Sequence, residues 1–217
     1  MEKVKIFFAA HKIFKVLKWA FLVLVGLFII LVIVRVVHFF NLDKTNAQVA
    51  KIHATKLALG DVMGENLPPD PGADADKTIE GIDANQNGIR DDVELAVFKE
   101  YPNSAKTRAV LLQYALALQM EATQPIVNTT IVDKVIGEQS RANSCIADTL
   151  VPRENPESDR SDSDMEKIDT FINFIESKQL NTEARKKTQK DFYKNLGSFA
   201  NSIKNQECDI NISKLLN

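Results

Sequence analysis

The sequence predicts an all-α protein: a single N-terminal transmembrane helix followed by a small bundle of about five helices. Three observations carry this expectation. An apolar run of 22 residues, 19–40, is broken only by Arg35. Five later segments place apolar residues at helical spacing, and no stretch alternates convincingly enough to read as a strand.

The apolar run comes first. Trp19 to Val34 are sixteen residues without a charge, and Val36, Val37, His38, Phe39 and Phe40 extend the run past Arg35. At 1.5 Å per residue the run spans about 33 Å as a helix, enough for a hydrocarbon core of about 30 Å. Arg35 lies near the end, where its stem can snorkel, and Trp19, Phe39 and Phe40 fall where interfacial aromatics belong. A cleaved signal peptide shares the basic-then-apolar pattern. Here the run is long, and the nearest small-x-small site, Thr45-Asn46-Ala47, lies beyond Asp43 and Lys44, so an uncleaved anchor in the bilayer is expected.

Charge supports a membrane at one end. The formal net charge is −2, with 27 Lys and Arg against 29 Asp and Glu. Residues 1–40 hold six bases (Lys3, Lys5, Lys12, Lys15, Lys18, Arg35) and one acid, Glu2, so the remaining residues carry an excess of seven acids. An acidic body counts against nucleic-acid binding, which needs a basic face. The five N-terminal lysines suit anionic lipid headgroups. They outnumber Lys44, Lys51 and Lys56 beyond the span, so the positive-inside rule puts the N-terminus in the cytoplasm and the body outside it, in the periplasm of a bacterial inner membrane.

After the anchor, residues 43–60 read as a helix with a thin apolar stripe ending at Gly60, a juxtamembrane stalk over 41–63. Residues 64–80 hold three prolines and read as a linker. The body, 81–217, begins with a short helix over 90–101 stopped by Pro102. Residues 104–122 are apolar nearly all round and predict a central helix. Residues 129–149, 164–178 and 182–204 each carry one apolar stripe, the last including Phe192, Leu196, Phe199 and Ile203, with a polar loop at 151–163. Residues 1–18 form the cytoplasmic head and 19–40 the span.

The sharpest motif runs from Asp83 to Glu94 and satisfies D-x-[DN]-x-[DN]-G-x5-E without a mismatch. A hard cation takes six to eight oxygens. Alternate side chains at positions 1, 3 and 5 point inward, Gly at position 6 permits the turn, position 7 gives a carbonyl and a Glu at position 12 closes the shell. Asp83, Asn85, Asn87, the Ile89 carbonyl and Glu94 are the expected calcium (Ca²⁺) ligands, with Asp91 acting directly or through water. The plain alternative is a polar turn before an ordinary helix, with Asp91 and Asp92 facing the helix dipole.

The loop resembles EF-hand loops, with two departures. Position 8 is Arg90 where paired EF-hands have an apolar residue, and prolines occupy the place of the entering helix; nor does the chain contain a second loop. It is therefore more similar to the lone calcium loops of thrombospondin type-3 repeats and dockerins than to a calmodulin-type sensor. The resemblance covers about fourteen residues and implies metal binding only. The wider stretch, 70–94, is similar to segments of uncharacterised bacterial envelope proteins. With two neutral Asn ligands, affinity should fall near the weak extracellular range of about 10⁻⁴ to 10⁻³ M.

Cys145 and Cys208 are the only cysteines, and both follow the span; in an oxidising compartment they are expected to pair. All three histidines (His11, His38, His53) lie in or near the anchor and stalk, so histidine-based catalysis has no support in the body. No P-loop or G-x-G-x-x-G motif occurs, and nucleotide binding is not expected. The sequence thus reads as a non-enzymatic, membrane-anchored envelope module that engages another envelope protein. A tethered hydrolase using carboxylates on glycan and a calcium-responsive sensor are the competing readings.

Overall fold

The computed structural model describes residues 2–155, 158–197 and 207–215, with side chains described at Lys15 and from Leu17 onward. The protein is all-α, and no strand occurs among the described residues. The chain divides into two units, 1–47 and 48–217.

The first unit is most of helix α1, Glu2–Ala54. One helix among the described residues is long and apolar enough to cross a membrane, and none of its most apolar stretch is covered by protein. Trp19, Phe28 and Phe40 on this helix are all more than half exposed.

In the second unit, the end of α1 buries Ile52 completely. The predicted helix over 43–60 breaks after Ala54: the Leu57 N–H donates to Asp209 Oδ2 at 3.0 Å and the Ala58 N–H to Asp61 Oδ2 at 3.1 Å, and a separate short helix α2, Leu59–Met63, follows. Gly64, at φ +76°, closes α2. The proline-bearing segment that reads as a linker contains a 3-10 turn, Gly72–Asp76, which buries Ala75.

The helices α3 (Asp91–Glu100), α4 (Ala105–Thr123), α5 (Thr129–Leu150), α6 (Asp162–Gln179) and α7 (Glu183–Tyr193) complete the bundle. Four of them start at a side-chain cap, since Ser104, Asn128, Ser161 and Thr182 each accept a hydrogen bond from a backbone N–H three residues on. Helix α4 is the axis and packs against α2, α3, α5, α6 and α7. Leu111, Leu112 and Ala115 are completely buried on it, and each such leucine is worth about 1.5–3 kcal/mol. Its buried polar groups are bonded: Gln113 donates to the Glu207 carbonyl and accepts from the Asp209 N–H, both at 2.8 Å.

Helix α7 is shorter than the apolar stripe predicts. It stops at Tyr193, and Asp133 on α5 accepts a hydrogen bond from the Gly197 N–H. Phe199 and Ile203 lie outside the described residues. Cys145 and Cys208 form a disulfide with Cα atoms 5.1 Å apart. The bridge fastens the C-terminal segment beside a partly buried ion cluster. Glu138 faces Lys56 at 2.7 Å, His53 at 2.9 Å and Arg141 at 2.6 Å, and Arg141 also reaches Asp209 at 2.7 Å. Burial pushes the Glu138 carboxyl up, but the bonds from Lys56, His53 and Arg141 outweigh it and hold the group below its ordinary range.

Candidate cation-binding loop

Residues 81–94 fold around their own side chains. The Asp83 carboxylate accepts from the N–H groups of Asn87 (3.1 Å) and Gly88 (2.9 Å). Asn85 Oδ1 accepts from Asn87 N–H at 3.3 Å, and Asn87 Oδ1 from Ile89 N–H at 2.8 Å. These Asx-type bonds turn the chain inward at alternate positions, as short polar side chains can do without help from a sheet or helix. Gly88 sits at φ +87°, a conformation L-residues rarely adopt, with Leu116 Cδ1 on α4 close to where a Cβ would lie, so the turn needs glycine for its conformation.

Glu94, in the first turn of α3, closes the loop. Its Oε2 accepts from Asn85 Nδ2 (3.1 Å) and Asn87 Nδ2 (3.0 Å), while Oε1 is buried and has no hydrogen-bond partner. The residue is only 1% exposed. Burial lifts its pKa to about 7, with Asp61 and Asp91 adding to the rise and the two Asn bonds opposing it. Asn85 Nδ2 also donates to the Asn66 carbonyl at 2.9 Å, which brings the segment after α2 to the loop.

Asp83, Asn85, Asn87 and Glu94 are thus brought together. Asp91 is completely buried but turned onto the Ala84 N–H (3.0 Å), and burial raises its pKa. The Ile89 side chain is completely buried in the core. Asp92 lies apart from the ligand set, paired with Arg90 at 2.5 Å. Among the described residues, no group of three or more His, Cys, Asp or Glu side chains is placed to hold a metal ion.

The donor set nevertheless fits a hard divalent cation in composition. Two amide NH₂ groups donate into a buried carboxylate, the partial positive charge such a carboxylate demands when nothing stronger is present. Each Asn oxygen keeps a second lone pair beyond the N–H it already serves, and Glu94 Oε1 is an orphaned anionic acceptor.

Arg90 is the residue whose role the motif could not reveal. At loop position 8 its side chain is completely buried. Nη1 donates to the Gln179 carbonyl (3.1 Å) and Nη2 to the Lys178 carbonyl (2.7 Å). Arg185, at the start of α7, likewise holds the carbonyls of Ala75, Thr78 and Ile79 ahead of the loop. Only Arg90 carried a signal in the sequence, as a departure from the EF-hand pattern. Comparison with protein-family models, with curated proteins and with solved structures finds no match to this chain.

Proposed function

We propose that this chain is a single-pass protein of the bacterial inner membrane, with residues 1–18 in the cytoplasm and its helical body in the periplasm, where calcium bound by residues 83–94 has a structural role. The observation that carries the reading is Glu94: a buried carboxylate with an unpartnered oxygen, at the closing position of a loop whose other liganding positions converge beside it. Calcium would take Asp83, Asn85, Asn87, the Ile89 carbonyl and Glu94, with Asp91 in reach through water. It would bind the Glu94 oxygen that now has no partner.

Two further observations support the compartment. The lysines cluster ahead of the apolar span, and Cys145 and Cys208 are paired, as thiols outside the cytoplasm usually are. A loop of this charge is weak and suits a compartment with abundant calcium. With no histidine in the body beyond the stalk, the module would act by binding another envelope protein, with calcium keeping its shape.

Calorimetry on the full chain in lipid nanodiscs tests the metal. Binding in the range of about 10⁻⁴ to 10⁻³ M, abolished by Glu94→Gln, is the expected result. Absence of binding at millimolar calcium would remove the reading. Co-purification with calcium present and with calcium chelated tests the partner.

A further inference from the structure

Two buried arginines connect the 83–94 loop to one distant turn. A guanidinium withdrawn from water is tolerated only when its N–H groups are bonded. The partners Arg90 finds, besides Asp92, are the carbonyls of Lys178 and Gln179, last-turn groups of α6 that the helix itself leaves unsatisfied. Arg185, three residues beyond the N-cap of α7, takes three carbonyls in the segment entering the loop. Asn181, between the two helices, joins both. Its Oδ1 accepts from Arg185 Nη1 at 2.6 Å and from Arg90 Nη2 at 3.5 Å, and its Nδ2 donates to Asp76 at 3.0 Å.

Residues 178–185 therefore hold both Arg90 inside the loop and the segment 75–79 that leads into it. The loop is also closed at its base, where the Asp91 N–H donates to the Ile82 carbonyl at 2.9 Å. Gly81, at φ +72°, lies so close to Arg90 that a Cβ there would be 2.3 Å from Arg90 Cδ. On the other side, the Arg90 carbonyl accepts from the Glu94 N–H at 3.0 Å. One helical turn thus separates the candidate metal-closing carboxylate from the guanidinium that caps α6.

We propose that the α6–α7 turn stands in for the missing second loop, so that cation occupancy and the order of residues 178–185 form one coupled equilibrium. The proposal rests on the calcium reading above. Seating Glu94 on a cation fixes the first turn of α3, hence Arg90, hence the end of α6. By linkage, whatever the turn adds to calcium affinity, calcium adds to the order of the turn.

The test uses the full chain in lipid nanodiscs, with calorimetry for affinity and hydrogen exchange read by mass spectrometry. Calcium is expected to slow exchange about fivefold at 176–188 as well as at 82–94, while 131–146 of α5 stays unchanged. Asn181→Ala alters an exposed residue outside the ligand set. It is expected to weaken calcium binding about fivefold and to cancel the added protection at 176–188. Arg185→Lys keeps the charge but loses the fork, and should act in the same direction. Protection confined to 82–94, or unchanged affinity in both variants, overturns the coupling and leaves the calcium reading standing. A wild-type chain that binds no calcium overturns both.

Discussion

Asn87 Nδ2 donates to Glu94 Oε2 at 3.0 Å, while the other oxygen of the same carboxylate is buried without a partner. The loop thus concentrates cost on one acid. Its folded pKa is about 7 against an ordinary 4.5, so the fold favours the protonated form. For the metal-free protein this contribution to stability is present below about pH 4.5 and is lost as pH rises to about 7, on the order of 3 kcal/mol. Thermal melts in chelator at pH 5 and pH 8 should show the loss, and millimolar calcium should reverse it at pH 8. Glu94→Gln should flatten the dependence in that window; an unchanged slope in the variant would argue that another group is responsible.

The ion cluster around Glu138 titrates with the opposite sign. Its folded pKa lies below the ordinary value, so its stabilisation is present above about pH 4.5 and lost as pH falls through the depressed value. Glu138→Ala leaves Arg141 and Lys56 without that partner, and with Lys56 partly solvated and Asp209 still facing both, a loss of about 1–3 kcal/mol is expected. Denaturant unfolding at pH 7 measures it. A loss below about 1 kcal/mol would mean that Asp209 and solvent satisfy both bases.

The disulfide closes a separation of 63 residues. On the chain-entropy account it contributes about 4 kcal/mol, so reductant or a paired Cys145→Ala and Cys208→Ala variant should lower the melting temperature by several degrees. Alkylation with and without reductant, read by mass, checks the bond. Identical masses would show free thiols.

Gly81→Ala places a methyl group against Arg90 at a backbone angle that L-residues seldom adopt. A loss of about 2–3 kcal/mol is expected from the combined strain and clash. Denaturant unfolding at pH 7 measures it. Wild-type stability in this variant would show that Arg90 can move aside freely.

Much of this architecture was legible because its causes are local. The long N-terminal helix follows from an apolar run broken only by Arg35, and α4 from apolar residues on nearly every face. The candidate ligands Asp83, Asn85, Asn87 and Glu94 were legible for the same reason: their spacing fits them to one centre, and their own side chains shape the turn. The break after Ala54 and the end of α7 at Tyr193 were not, because the backbone groups that follow bond to residues far away in sequence, the Leu57 N–H to Asp209 and the Gly197 N–H to Asp133.

The sequence by itself determined the helical class, the apolar segment, the cysteine pair and the spacing of the loop, since each is written in neighbouring residues or in the only two residues of a type. Tertiary structure alone decided that Asp91 turns to Ala84, that Glu94 keeps one oxygen unpartnered, and that the proline-bearing segment is gripped by Arg185 rather than left as a tether. Those outcomes rest on which carbonyls a buried charge can reach. Arg90 finds its carbonyls 88 and 89 positions away and Arg185 finds one 110 positions back, distances over which no local periodicity carries information.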